Sequence, residues 1–336
     1  DKILIGLVDA DLLNGGTRHP NLVLLKLAGF LTDNAIPFRL IIDKDENIME
    51  YTTIYMSKVF SFTPDPPFYE KVKKTPNENK FKIGGTGDYA IKKDIKDFKS
   101  SRTRDMNQLE NDIFLNNYPN KRGGKKKWGI DMCRQMPYYH LYDEYIQSKI
   151  KAGRKKSYFN DYLYYSIGFL TRGCIRHCPF CVNKLENKVY RYSELEWFLD
   201  DERNEKGDLI RPYIYLWDDN FLAAPKEIWQ PMLQSLIDSK RPFQFRQGLD
   251  ERILAESEDG EEIAQMLSKC KYHGDFIFAF DNWRDRDKII KALKIWKRHN
   301  SKRGTKFYLF CGYTLKSGED EKLYNDIKIL FERIKI

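Results

Sequence analysis

Short apolar runs, separated by stretches with helical spacing, recur along the whole chain. Ile3 to Val8 reads as a buried strand and is followed by the polar loop from Asp9 to Pro20. Asn21 to Thr32 then carries Leu22, Leu25, Ala28 and Leu31 at helical spacing. Phe38 to Ile42 and Thr52 to Val59 read as second and third strands, and Lys82-Ile83 leads into Gly84-Gly85-Thr86-Gly87. This alternation predicts a small α/β unit over residues 1–115, with a parallel sheet and ligand loops at the strand C-termini.

The same alternation returns over residues 161–336. A first strand ends at Thr171, and further strands are expected at Tyr213 to Trp217, Phe243 to Gln247, Phe276 to Phe280 and Phe307 to Phe310. Helical stretches near 192–200, 226–239, 259–269, 284–299 and 319–333 lie between or after them. Short strands separated by helices of this length imply right-handed crossovers and a curved parallel sheet. Polar residues collect after four of the strands: Asp218-Asp219-Asn220, Gln247 with Asp250, Asp281-Asn282, and Cys311-Gly312. Each could be a cap or turn alone, but the repetition points to a ligand face at the strand ends.

Between the halves, residues 116–160 show no clean period and read as a basic, tyrosine-rich linker. They hold Tyr138, Tyr139, Tyr142 and Tyr145, and two basic clusters: Lys121, Arg122, Lys125, Lys126 and Lys127, then Lys149, Lys151, Arg154, Lys155 and Lys156. A solvated linker is one reading. A nucleic-acid or polyphosphate surface is the other, and the net charge of +9 admits it.

The candidate chemistry sits after the strand that ends at Thr171. Cys174, Cys178 and Cys181 are three of the six cysteines, at spacing C-x3-C-x2-C. Such a loop can bring three thiolates onto one face of an iron–sulfur cluster, leaving a fourth coordination position open. Zinc is the alternative, with His177 as fourth ligand, though His177 adjoins Cys178 and ligation by adjacent residues would be strained. Disulfides are disfavoured in a chain with no secretory signal. Cys133, Cys270 and Cys311 stand outside this spacing and are not expected as ligands.

Phe169-Leu170-Thr171-Arg172-Gly173 followed by this cysteine loop, with Phe180 just before the third cysteine, resembles the cluster loop of the radical S-adenosylmethionine (SAM) superfamily. The resemblance implies a partial (β/α)6 barrel over 161–336. It also implies a 4Fe-4S cluster on the three cysteines, bound SAM cleaved to a 5'-deoxyadenosyl radical, and an electron donor such as flavodoxin or ferredoxin. Phe180 is implied at the adenine, and Asp218, Asp219, Asn220, Gln247 and Asp250 on the cofactor or substrate side. The glycine-glycine-glutamate run that many members carry after the second strand is replaced here by Asp218-Asp219-Asn220.

Residues 1–115 resemble, more loosely, the Rossmann-like cobalamin-binding module that precedes the barrel in several subfamilies, with Gly84-Gly85 where that fold often holds a glycine pair. The usual D-x-H-x-x-G after the first strand is missing and His19 does not replace it, so an empty fold is expected in preference to bound cobalamin. Two other functions stay open: a nucleic-acid-modifying methylthiotransferase or cobalamin-dependent methylase, and a non-catalytic zinc-binding protein.

Composition narrows the class. Hydrophobic residues at 41% exclude a mainly disordered chain, and no apolar run approaches the ~20 residues that span a bilayer. A cytoplasmic protein with no membrane partner is expected. A chain that opens on Asp1 reads as a trimmed piece, and its stop at Ile336 leaves a sixth barrel strand either in the last residues or missing.

Overall fold

The computed structural model describes residues 3–85, 131–178, 180–181, 183, 187–310 and 320–335. The chain divides into two compact units, residues 1–164 and 165–336.

In the first unit β1 (Ile5–Asp9) is buried along its whole length. It lies between β2 (Phe38–Leu40) and β3 (Thr53–Ser57), with β4 (Phe81–Gly84) outside β3, and every pairing is parallel. A strand covered on both faces must be apolar throughout, which is why Ile5 to Val8 shows no alternation. The loop expected after β1 instead begins with a short helix, α1 (Ala10–Gly15). The Asp9 carboxylate accepts from the Leu12 amide at 3.1 Å, and Gly16, at φ 81°, ends the helix. Helix α2 (Leu22–Asp33) starts where Asn21 caps the Leu24 amide at 3.2 Å.

The short helix α3 (Pro67–Glu70) precedes β4. Beyond β4, Gly85 sits at φ 109°, and a Cβ there would stand 2.3 Å from the Lys58 carbonyl oxygen. Gly85 is therefore required by backbone packing at the sheet edge. Thr86, Gly87 and the cluster from Lys121 to Lys127 lie outside the described residues.

The linker expected over 116–160 is corrected in its described part. Residues 131–164 belong to the first unit, where Tyr139, Tyr142 and Tyr145 share one core with Leu24, Leu25, Leu27 and Ala28. Helix α4 (Asp143–Lys151) and helix α5 (Asn160–Tyr164) flank a 3-10 turn; the turn adds Phe159 and α5 adds Tyr162 to the same core. The tyrosines show no period because they are spread over turns and two short helices. Gly29 admits this segment, since a Cβ at that position would meet the Met136 carbonyl oxygen at 2.1 Å.

The second unit opens with β5 (Tyr165–Gly168). A small antiparallel hairpin follows, β6 (Thr171–Gly173) with β7 (Val189–Arg191), and the cysteine loop lies between its strands. Next come β8 (Tyr213–Leu216), α6 (Lys226–Asp238), β9 (Phe243–Phe245), α7 (Arg252–Glu256) and α8 (Gly260–Lys269). The chain continues through β10 (Phe276–Ala279), α9 (Arg286–Asn300), β11 (Thr305–Tyr308) and α10 (Asp320–Lys335).

Strands β5, β8 and β9 form one parallel run and β10 with β11 another. Two isolated parallel bridges, Phe243 to Tyr272 and Leu249 to Phe278, join the chain around β9 to the chain around β10, with the Leu249 amide donating to the Ile277 carbonyl at 2.8 Å. The described strands do not close into a barrel. The last described residues are helix α10, so a sixth strand is not found there. The helix expected near 192–200 is a single 3-10 turn, Leu195–Trp197. Leu195 and Phe198 are buried around that one turn, and beyond it Asp200 pairs with Arg211 and the exposed Asp201 with Arg241. No helix is long and apolar enough to cross a membrane, among the described residues.

Candidate metal centre at the strand ends

The cysteine loop starts from a glycine whose backbone a side chain could not adopt without strain. Gly173 has φ 91°, and a Cβ on it would stand 2.2 Å from the Lys188 carbonyl oxygen across the hairpin. Glycine is thus needed to turn the chain into Cys174. All three cysteines are partly exposed. The Arg176 amide donates to Cys174 Sγ at 3.3 Å, and the Asn183 amide donates to Cys181 Sγ at 3.4 Å. Burial raises the Cys178 thiol above its ordinary range, Arg252 pulls it down, and Cys181 and Cys174 push it up again.

The run after β8 holds this loop in place. Asp218 is buried, and its Oδ1 accepts from the Thr171 amide at 2.6 Å and the Thr171 hydroxyl at 2.7 Å, while Oδ2 accepts from the Leu170 amide at 3.2 Å. Burial pushes this carboxyl up to about 7, against the hydrogen bonds that favour its charged form. Asp219 accepts from the Gly173 amide at 2.9 Å and from Asn183 Nδ2 at 2.8 Å, so one carboxylate ties together both sides of the loop. Asn220 donates through Nδ2 to Cys174 Sγ at 3.5 Å and to Asp250 Oδ2 at 3.0 Å. Its Oδ1 is buried without a hydrogen-bond partner in the described structure.

Asp250, after β9, is the centre of a charge network. It accepts from Arg176 Nε of the cysteine loop at 2.7 Å and from Arg252 Nε at 2.6 Å. Arg176 also reaches Glu256 at 2.5 Å, and Arg252 reaches Asp285 at 2.8 Å. Burial is the largest influence on Asp250 and would raise its carboxyl, but Arg252 and Arg176 together outweigh it and hold the group below its ordinary value. The neighbouring Glu251 is fully buried. Its Oε2 accepts from the Ala279 amide at 3.3 Å while Oε1 has no partner, and burial pushes this carboxyl up to about 8.

Phe180 stacks on Phe310, beyond the end of β11, at 4.2 Å between centroids and 27° between planes. Asp281, after β10, accepts from the Phe310 amide at 3.1 Å. Residues beyond β8, β9, β10 and β11 thus all contact the cysteine loop or its immediate partners. Of the residues singled out from sequence, Cys174, Cys178, Cys181, Phe180, Asp218, Asp219, Asn220 and Asp250 come together. Gln247 is exposed on the turn after β9 and makes none of these contacts. Cys133 and Cys270 lie elsewhere, Cys270 buried with its thiol donating to the Met266 carbonyl at 3.4 Å, and Cys311 lies outside the described residues.

Sequence reasoning missed Arg176, Asn183 and Arg252. Arg176 pairs with a carboxylate 74 positions away, and charge pairing over that separation leaves no local pattern. Asn183, two residues past the motif, could have been found as a polar residue flanking the third cysteine.

The surroundings of the sulfurs show what the loop can accept. Amide donors on Cys174 and Cys181 stabilise thiolate sulfur, and hydrogen bonds to sulfur are a principal means by which a protein tunes an iron–sulfur centre. The donor set fits a thiolate-bound cluster in its chemistry. Among the described residues, no group of three or more His, Cys, Asp or Glu side chains is already disposed to hold a metal ion. The His177 ring is exposed on the loop. Comparison with protein-family models, with curated proteins and with solved structures finds no match to this chain.

Proposed function

We propose that residues 165–336 form a radical SAM unit of open-barrel type, in which Cys174, Cys178 and Cys181 hold a 4Fe-4S cluster. The observation that carries this reading is the placement of the C-x3-C-x2-C loop. It lies at the C-terminal ends of parallel strands, and Asp219 fastens it at Gly173 and at Asn183. In α/β enzymes that end of the sheet is where chemistry is assembled.

When bound, such a cluster supplies the electron that cleaves SAM to methionine and a 5'-deoxyadenosyl radical. The chain's own residues have three tasks. The cysteines bind, drawn together from the separation they have in the described loop. Asp218, Asp219 and Asn220 orient the loop, taking backbone amides at its start and one sulfur as partners. Arg176, Asp250 and Arg252 neutralise one another around the loop and hold it against β9. Phe180, half-exposed on Phe310, offers an aromatic surface at the edge of the site.

The test compares single variants after anaerobic reconstitution. Cys174→Ala, Cys178→Ala and Cys181→Ala should each lose the brown colour and the absorbance near ~400 nm that iron–sulfur charge transfer gives. Cys133→Ala and Cys270→Ala should keep both. Full iron content in Cys178→Ala would overturn the assignment.

A further inference from the structure

The first unit carries a basic and aromatic face around the end of helix α4. Helix α4 ends at Gly153, at φ 93°, where the Gly153 amide donates to the Ile150 carbonyl at 2.9 Å and the Arg154 amide to the Lys149 carbonyl at 2.9 Å. This left-handed stop turns the chain back sharply. It brings the Arg154 guanidinium over the Tyr158 ring, 4.6 Å from the centroid. Arg18 arrives at the same ring from the loop between α1 and α2, at 5.9 Å. That loop is held by the hydrogen bond between the hydroxyls of Thr17 and Tyr162, at 2.6 Å. Lys149 lies over Tyr145 at 5.4 Å and Lys156 over Tyr164 at 5.9 Å.

Lys149, Lys151, Arg154, Lys155, Lys156 and Arg18 are all exposed. None of the six forms an ion pair among the described residues. Many surface cations of the second unit are paired, as Lys226 is with Asp259, Lys288 with Glu256 and Arg298 with Glu261. Residues 144–164 carry only Glu144 and Asp161 as acids. Lys149 and Lys151 are explained by the helix C-terminus, which favours cations. Arg154, Lys155, Lys156 and Arg18 lie beyond that helix and need another reason.

We propose that this face binds single-stranded nucleic acid. The six cations would meet successive phosphates, and an unpaired base would stack on the Arg154 guanidinium that lies against Tyr158. A duplex or an anionic lipid surface would use the charge alone. The guanidinium–tyrosine stack adds a planar surface that only unpaired bases exploit. Arg18 is what the fold adds to the basic stretch legible in sequence, because it lies more than a hundred positions from Tyr158 in the chain.

The experiment is fluorescence anisotropy of the full chain with labelled single strands of about 12 nucleotides, RNA and DNA, against a duplex and heparin. Single strands should bind more tightly than the duplex or heparin, and the affinity of RNA relative to DNA identifies the natural form. The triple variant Arg18→Ala, Arg154→Ala, Lys155→Ala should bind at least about tenfold more weakly, with a salt slope shallower by about 2. Lys155→Ala with Lys156→Ala removes only exposed cations and should weaken binding in the same sense, which keeps the test decisive if the triple variant does not fold. Equal binding by parent and Lys155→Ala, Lys156→Ala would overturn the proposal, as would duplex or heparin binding as tight as single strands.

Discussion

Asp219 makes the most economical contact in the second unit, because one carboxylate bonds the Gly173 amide on one side of the cysteine loop and Asn183 on the other. Replacing it by Ala should loosen the loop while the sheet stays intact. We expect Asp219→Ala to lose about half or more of its iron on reconstitution while stability falls by about 1 kcal/mol, the scale of one or two polar contacts. Unchanged iron content with a large drop in Tm would make the residue purely structural. Glu251 supports a different prediction. Its folded-state carboxyl titrates at about 8 against an ordinary value of 4.5, raised by burial and, less, by Asp250. The folded protein therefore keeps this proton where the unfolded chain has lost it. The stabilising contribution is complete below about 4.5 and is lost as pH rises through 8. Glu251→Gln should remove that dependence, so the Tm difference, variant minus parent, should grow in the variant's favour between pH 5 and pH 8. A difference that is flat with pH would show that Glu251 is not the buried acid described.

Gly173 decides the geometry of the hairpin that presents the cysteines. Gly173→Ala would meet both a left-handed backbone and the Lys188 carbonyl, at a cost of about 1–3 kcal/mol. It should reduce cluster loading more than Gly153→Ala, where the backbone is also left-handed but no atom lies within 4 Å of the new Cβ. Iron content of the two variants, measured side by side, checks this. At this scale much was legible in sequence. The buried strands β1, β3, β8 and β10 and the helices α2, α6, α8 and α9 lie within a few residues of where apolar periodicity put them. Local patterns failed where the cause was not local. Helix α1 is the exception, set by the local Asp9 cap, and the stretch near 192–200 keeps only one 3-10 turn before Asp200 pairs with Arg211. Residues 131–160, the described part of the stretch read as a linker, showed no period because their tyrosines enter the core from turns and short helices. For the site, the three cysteines and the polar strand ends could be read from spacing, whereas the Arg176–Asp250–Arg252 network could not.

For the molecule as a whole, the two units pose separate questions. In the first unit, Tyr142 donates to Asp9 Oδ2 at 2.9 Å and its hydroxyl accepts from the Asn21 amide at 3.1 Å, so the C-terminal end of β1 is covered by the chain itself. Hydroxocobalamin should accordingly be lost on gel filtration, and stoichiometric retention would instead make methyl transfer the leading chemistry. In the second unit, the central claim is a cluster with a coordination position left for SAM. The most direct measurement is electron paramagnetic resonance of the anaerobically reconstituted, reduced protein, with iron counted per chain, before and after SAM is added. The account predicts about four irons per chain and a reduced-cluster signal that changes when SAM binds. A colourless protein holding one zinc, or an iron–sulfur signal indifferent to SAM, would contradict it.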